Sequence, residues 1–174
     1  MPADMERRAP KGSGEAQKKG PIVLVIDDDA IGRTLVCETL REVFPSLLES
    51  SSPIGASRTV IQEHVDVVVL DVEMPNLRGN KLAKLFRENP RLAYIGVILV
   101  SACGSEELAA LGEACGADGV VTKHNIRTSL QGAVTKAWRA SVNRRGANGS
   151  SGPSLRGTGP GASNGAKGPK NDDA

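Results

Sequence analysis

The chain has 174 residues, 39% of them hydrophobic, and a formal net charge of +2. That length suffices for one domain with a substantial core and is too short for two ordinary domains. Its three cysteines are an odd number without the spacing of a metal site, which favours reduced thiols in the cytoplasm over a disulfide framework. No apolar run approaches the roughly 18 residues of a membrane-spanning helix, and no signal-peptide pattern is present, so we expect a soluble cytoplasmic protein without membrane insertion.

Composition divides the chain into three segments. Residues 1–20 are rich in Gly, Lys and Glu without apolar periodicity, and residues 143–174 contain eight glycines and one large apolar side chain, Leu155. Neither segment has enough apolar surface to offset the entropy lost on ordering, so we predict that both tails are disordered. Residues 21–142 carry twelve Lys or Arg against fifteen Asp or Glu and form the predicted folded domain.

Short aliphatic runs alternate with helical patterns through this domain. In chain order the runs cover residues 22–26, 47–51, 67–70, 95–100 and 119–121. All but the second are continuous enough for strands buried on both faces, while the second is more polar and suits an edge. Apolar side chains recur at helical spacing in three stretches: Val36, Leu40, Val43 and Phe44; Leu108, Leu111 and Cys115; and Leu130, Val134, Ala137 and Trp138. The alternation predicts five βα units and an α/β fold with a doubly wound parallel sheet.

Polar side chains follow these strands at their carboxyl ends, where doubly wound sheets bind ligands. They are Asp27, Asp28 and Asp29 after the first strand, Asp71 after the third, Ser101 after the fourth, where Ala102 follows it, and Thr122 and Lys123 after the fifth. Two carboxylates about 4 Å apart repel by about 4 kcal/mol at an effective dielectric constant of about 20. Mg²⁺ relieves such repulsion and binds phosphate oxygens, which a lysine and a hydroxyl can also hold. A carboxylate can itself attack phosphorus, so the pattern predicts a phosphoryl site.

Four motifs in this order, LVIDDD, VVVLDVEMPNLRG, VILVSA and GADGVVTK, resemble the receiver domain of two-component response regulators. The resemblance covers residues 21–142 and implies a flavodoxin-like five-stranded sheet of order 2-1-3-4-5 with helices on both faces. It also implies that Asp71 is the phosphoacceptor. The residues that it implies for binding Mg²⁺ are Asp27, Asp28, Asp71 and the backbone carbonyl of Glu73.

The same resemblance implies that Ser101, Ala102 and Lys123 bind the phosphate and respond to it. Two positions on the implied signalling face depart from the family pattern. Val120 replaces a Tyr or Phe that often swings inward on phosphorylation, and His124 replaces the proline that usually follows the lysine across a cis bond. A cis bond before a residue other than proline costs about 2.5–4 kcal/mol, so a trans bond and a strained cis bond are both open. We therefore expect intact chemistry with an altered readout.

Other polar residues have simpler interpretations. Asp29 is expected to cap the first helix, which suits a carboxylate at a helix N-terminus. His64 precedes a strand and is expected in a loop. The cysteines are expected to serve as small apolar core residues.

The resemblance implies a response regulator that receives a phosphoryl group on Asp71 from a sensor histidine kinase or a histidine phosphotransfer protein. Because nothing after residue 142 resembles a folded output domain, we expect a stand-alone receiver. It would act on an unknown downstream protein, or pair with a second copy of the chain. Its only enzymatic activity would be self-phosphorylation and self-dephosphorylation at Asp71.

Three alternative functions are compatible with parts of the sequence. The first is a pseudo-receiver that binds partners without phosphorylation. The second is a haloacid-dehalogenase-type phosphatase. Its D-x-D-x-T pattern is not met after Asp71, because Glu73 stands at the position of the second Asp and Pro75 at that of the Thr. The third is a nucleic-acid binder. The C-terminal tail of the chain is basic but has no aromatic side chain on which bases could stack, so no specific nucleic-acid binding is expected.

Overall fold

A computed structural model of the chain describes residues 20–149. Strands and helices alternate through this region: β1 (Val23–Ile26), α1 (Ala30–Arg41), β2 (Leu47–Ser50), α2 (Ala56–Gln62), β3 (Val67–Asp71), α3 (Gly79–Glu88), β4 (Gly96–Ser101), α4 (Ser105–Cys115), β5 (Gly119–Thr122), a 3₁₀ turn (Lys123–Asn125) and α5 (Ile126–Gly149). His64 lies in the turn after α2, as predicted. Within residues 20–149, no helix is long and apolar enough to cross a bilayer. Residues 1–19 and 150–174, for which disorder is predicted, lie outside the described residues.

The five strands form one sheet in the order β2-β1-β3-β4-β5, and each pairing between neighbours is parallel. This confirms the doubly wound, flavodoxin-like architecture. The polar strand β2 lies at an edge, where its Glu49 and Ser50 do not need an apolar layer on each side. The chain runs from β2 across β1 to β3, so the strand order reverses there. The carboxyl ends of β1 and β3 consequently open side by side into the crevice where this class of sheet binds ligands.

Helices cover both faces of the sheet because successive side chains of each central strand point in opposite directions. One layer packs against α2, α3 and α4 and includes Leu24, Ile26, Val68, Leu70, Leu99, Phe86 and Leu108. The other packs against α1 and α5 and includes Val25, Val69, Val100, Leu40, Leu130 and Val134. Cys37 and Cys115 are buried in these layers as free thiols. Val43 departs from its expected place on a helix, because α1 ends at Arg41 and leaves Val43 52% exposed.

The last helix extends past the predicted domain boundary at residue 142. Arg144 donates hydrogen bonds from both terminal nitrogens to the Asp118 carboxylate, at 2.8 and 2.9 Å. Arg145 forms an ion pair with Asp66 at 2.8 Å, and its guanidinium carbon lies 4.2 Å from the ring centroid of Tyr94. These contacts tie Arg144 and Arg145 to the domain, and α5 continues to Gly149, beyond residue 142 where the sequence predicts the domain to end.

Candidate acidic site at the carboxyl edge of the sheet

Three carboxylates converge where β1 and β3 end. One carboxylate oxygen from each of Asp27, Asp28 and Asp71 lies within 4.8 Å of the other two. The cause is the strand pairing: Ile26 lies opposite Leu70 in parallel register, so the residues that follow them, Asp27 and Asp71, emerge side by side. Asp27 and Asp71 are only 2% and 3% exposed, whereas Asp28 is open to solvent. The first-strand acids and the third-strand acid are therefore brought together as predicted.

Backbone amides orient the two buried carboxylates. The Glu73 N–H donates to Asp71 Oδ2 at 3.0 Å, and the Asp29 N–H donates to Asp27 Oδ1 at 2.9 Å. Asp29 itself caps α1 as predicted, because its Oδ2 accepts the Gly32 N–H at 2.7 Å. The remaining Asp71 oxygen, Oδ1, is buried and makes no well-aligned hydrogen bond within residues 20–149.

Lys123 supplies the positive charge of the site. Its Nζ atom lies 3.0 Å from Asp71 Oδ1 and 3.6 Å from Asp27 Oδ2. Burial acts to lower the pKa of Lys123, but its direct contact with Asp71 and the charges of Asp71 and Asp27 outweigh that effect and raise it. The ammonium group is therefore fully protonated at neutral pH, since an ordinary lysine already titrates well above neutrality.

The pKa of Asp27 is raised, first because burial disfavours the charged carboxylate and second because Asp71 repels it. The charge of Lys123 and the Asp29 N–H oppose the rise without cancelling it.

One ammonium group thus offsets only part of the charge of three acids. A divalent cation would neutralise the remainder, and carboxylate oxygens are the ligands that Mg²⁺ prefers. The donor set of Asp27, Asp28 and Asp71 fits that ion, with Asp71 Oδ1 retaining lone pairs for it.

The fourth strand brings a hydroxyl next to these acids. Val100 lies opposite Asp71 in the β3–β4 register, and Ser101 follows it at the end of β4. Ser101 is fully buried, and its Oγ accepts the Cys103 N–H at 3.1 Å. Ala102 is exposed in the loop that begins there. The side chain of Ser101 is therefore engaged with its own loop.

The two residues that depart from the family pattern lie on either side of Lys123. His124 is exposed, and its peptide bond with Lys123 is trans, because residues 20–149 contain no cis peptide bond. This answers the question that the sequence left open. Val120 packs against α4, where its Cγ1 lies 2.5 Å from the position that a Cβ of Gly112 would take. The valine therefore occupies the space of a missing side chain on the neighbouring helix.

Sequence reasoning missed three residues that shape the site. The Arg33 Nη1 group donates to the Asp27 carbonyl oxygen at 2.8 Å, tying α1 to the end of β1. Gly79 begins α3 so close to the Asp71 carbonyl that a side chain there would overlap it. Gly32 approaches the Asp27 carboxylate from the first turn of α1. The position of Arg33 in the first helical turn after the acids could have indicated a contact with them. Nothing in the sequence around Gly32 or Gly79 indicates how closely these glycines approach the acids.

The fold and this acidic site together define a signalling domain of the response-regulator class. The family model for the response regulator receiver domain matches residues 23–135, and the chain belongs to that family. Receiver domains act in phosphorylation-based signalling, bind Mg²⁺ at an acidic pocket, and interact with histidine kinases or phosphotransfer proteins. They are generally signalling domains and not enzymes.

Individual relatives agree with this assignment. The chemotaxis protein CheY of Halobacterium salinarum is 29% identical over 118 residues, covering 68% of this chain and 97% of CheY. The phosphate regulon transcriptional regulatory protein PhoB of Pseudomonas aeruginosa is 27% identical over 104 residues, and the chain spans 45% of its length. The receiver domain of a histidine kinase from Syntrophus aciditrophicus superposes with a TM-score of 0.61 at 22% identity, covering 69% of this chain and 91% of that domain. This last likeness concerns the fold alone.

Proposed function

We propose that the protein is a phosphorylation-dependent switch that accepts a phosphoryl group on Asp71. The observation that carries the proposal is the position of this carboxylate: it is 3% exposed, oriented by the Glu73 N–H, and faces the Lys123 ammonium at 3.0 Å. A carboxylate oxygen of Asp71 would form the new bond to phosphorus. The bond between phosphorus and the donor would break, and its electron pair would leave with the donor.

The neighbouring residues suit the charge that this transfer brings. Lys123 would hold a phosphoryl oxygen, and Ser101 Oγ would donate a hydrogen bond to another after leaving the Cys103 N–H. Asp27, Asp28, Asp71 and the Glu73 carbonyl would hold Mg²⁺. When bound, that ion neutralises charge on the phosphoryl oxygens. The chain would need no other catalytic group, because this reaction depends mainly on positioning and charge.

The surface beside the acids supports a protein as phosphodonor. Ile31 is 81% exposed in the first turn of α1, four residues after Asp27. Together with Ala30, Thr34, Leu35 and Glu38 it lines an open depression of about 400 Å³. An apolar surface of this kind next to a buried acceptor suits a helical partner that carries a phosphohistidine, such as a sensor histidine kinase or a histidine phosphotransfer protein. The downstream partner would read the side that carries Val120 and His124.

Labelling with a small phosphodonor tests this proposal. The protein is incubated with phosphoramidate and Mg²⁺, and intact mass spectrometry follows the addition of one phosphoryl group. We expect labelling that requires Mg²⁺ and is lost in Asp71→Asn. The control Glu88→Gln, which changes an exposed acid of α3, should be labelled like the wild type. Full labelling of Asp71→Asn would disprove the acceptor assignment. A wild-type chain that binds Mg²⁺ but is never labelled would mean that it acts without phosphorylation.

A further inference from the structure

Gly32 lies in the first turn of α1 and faces the buried acid of β1. A Cβ atom at this position would lie 2.8 Å from Asp27 Oδ2, 3.1 Å from Asp29 Oδ2 and 3.5 Å from Lys123 Nζ. The first distance is an overlap, because carbon and oxygen atoms that are not bonded repel strongly at that separation. An L side chain at position 32 therefore requires either the acid or the helix to move.

The acid has little freedom to move. Asp27 is 2% exposed, and its other oxygen, Oδ1, accepts the Asp29 N–H at 2.9 Å. The first turn of the helix is held as well, at residue 32 and at residue 33. The Gly32 N–H donates to Asp29 Oδ2 at 2.7 Å, and the next residue, Arg33, donates from Nη1 to the Asp27 carbonyl oxygen at 2.8 Å. The close approach of Gly32 is thus built into the cap of α1.

The oxygen that Gly32 approaches is also the one that faces Lys123, at 3.6 Å. Displacing Asp27 Oδ2 would alter its place among the three carboxylates and its contact with the ammonium group. We propose that Gly32 is a positioning residue of the phosphoryl site. Its missing side chain lets α1 lie directly against Asp27 and fixes the carboxylate in the orientation that faces Lys123 and the metal. This inference rests on the proposed function of the site.

Glycine substitutions at two helical positions test the inference. Gly32→Ala and Gly32→Val introduce the overlap in two sizes. Gly132→Ala in α5 is the matched control, because no atom lies within 4 Å of a Cβ built there. Calorimetry gives the Mg²⁺ dissociation constant of each variant, and phosphoramidate labelling at saturating Mg²⁺ gives the rate. We expect Mg²⁺ binding to weaken by about tenfold in Gly32→Ala, as for other residues that orient metal ligands, and by more in Gly32→Val. Gly132→Ala should bind Mg²⁺ like the wild type.

A double mutant separates positioning from a general effect on the fold. Asp27→Ala removes the oxygen that the new Cβ would meet, so adding Gly32→Ala to it should leave the remaining Mg²⁺ affinity unchanged. An equal loss from Gly32→Ala in both backgrounds would show a role that does not act through Asp27 and would overturn the inference. Unchanged Mg²⁺ binding in Gly32→Ala would overturn it too. Failure of the wild type to become labelled would refute the proposed function alone, because the Mg²⁺ constants do not depend on phosphorylation.

Discussion

Lys123 faces two buried carboxylates at once, with its Nζ atom 3.0 Å from Asp71 Oδ1 and 3.6 Å from Asp27 Oδ2. Its ammonium group is therefore shared, and neither acid is fully compensated. If Asp71 becomes an acyl phosphate, its negative charge passes to phosphoryl oxygens farther from the strand. Lys123 must then follow that charge, and its contact with Asp27 weakens. The charge balance between these three side chains leads to the first two predictions.

Replacing Lys123 with Met should destabilise the protein when Mg²⁺ is absent. The raised pKa of Lys123 means that its stabilising effect is fully present below the pKa of a free lysine and is lost only as pH rises through the higher folded-state value. At pH 7 we expect a loss of about 2 kcal/mol in the free energy of unfolding, because the buried Asp71 carboxylate loses its cation. Chemical denaturation measures it. Lys84→Met is the control, because its ion pair with Glu88 is exposed and worth little. Equal losses in both variants would contradict the prediction.

Mg²⁺ should bind more weakly as pH falls. The loss of affinity should begin at a higher pH than it would in a site made of aspartates with an ordinary pKa. Burial, and then the charge of Asp71, raise the pKa of Asp27, so a proton competes with the metal at pH values where a free aspartate is ionised. Binding must then release protons. Calorimetry in two buffers with different ionisation enthalpies detects that release directly. An affinity that stays constant from neutral pH into the range where free aspartate titrates would refute this view of Asp27.

The end of α5 should be part of the stable domain. Truncation after residue 142 removes Arg144 and leaves Asp118, whose side chain is 12% exposed, with one fewer cation. Breaking a buried ion pair costs about 3–5 kcal/mol, and we expect a smaller loss here because the Arg144 side chain is 34% exposed and Arg87 still pairs with Asp118. Truncation after residue 149 retains every contact described here and should leave the melting temperature nearly unchanged. Thermal unfolding of the two truncations decides between them. Equal melting temperatures would show that residues 143–149 contribute nothing.

The loop after β4 should respond to a phosphoryl mimic. Turning Ser101 toward Asp71 must break the hydrogen bond that its Oγ accepts from the Cys103 N–H, so that amide should exchange faster with solvent. We expect hydrogen exchange with beryllofluoride and Mg²⁺ to change at residues 101–107 and 122–126. Val120 cannot swing as a ring would, because it is β-branched and seated against Gly112. Changes confined to α1 would disprove this route.

Much of the fold was predictable because burial on two faces demands continuous aliphatic strands. The runs at residues 67–70 and 95–100 became central strands for that reason, and the more polar run became the edge strand β2. The convergence of Asp27 and Asp71 followed from parallel pairing alone. The strand order, in contrast, came from the family resemblance and not from the pattern of residues.

The features that sequence reasoning missed depend on contacts between separate elements. Residues 143–149 have the composition of a tail, yet they continue α5, and Arg144 among them reaches Asp118, which lies 26 positions earlier. The importance of Gly32 depends on how closely α1 lies against the end of β1, which no local spacing specifies. The replacement of an aromatic residue by Val120 predicts an altered readout, but the contact of Val120 with Gly112 could not be inferred from either residue alone.

The carboxylate of Asp118 lies at the edge of the sheet opposite the phosphoryl site and joins four elements there. It accepts hydrogen bonds from Arg87 of α3, from Arg144 of α5 and from the Val97 N–H of β4, and it directly precedes β5. These elements meet at one carboxylate, while Ser101 and Lys123 lie at the opposite, carboxyl-terminal ends of β4 and β5. Asp118 therefore anchors the edge of the sheet that is remote from the acids. If Ser101 and Lys123 move toward a phosphoryl group, that edge would stay in place, and a partner would have to read the change at the carboxyl-terminal edge.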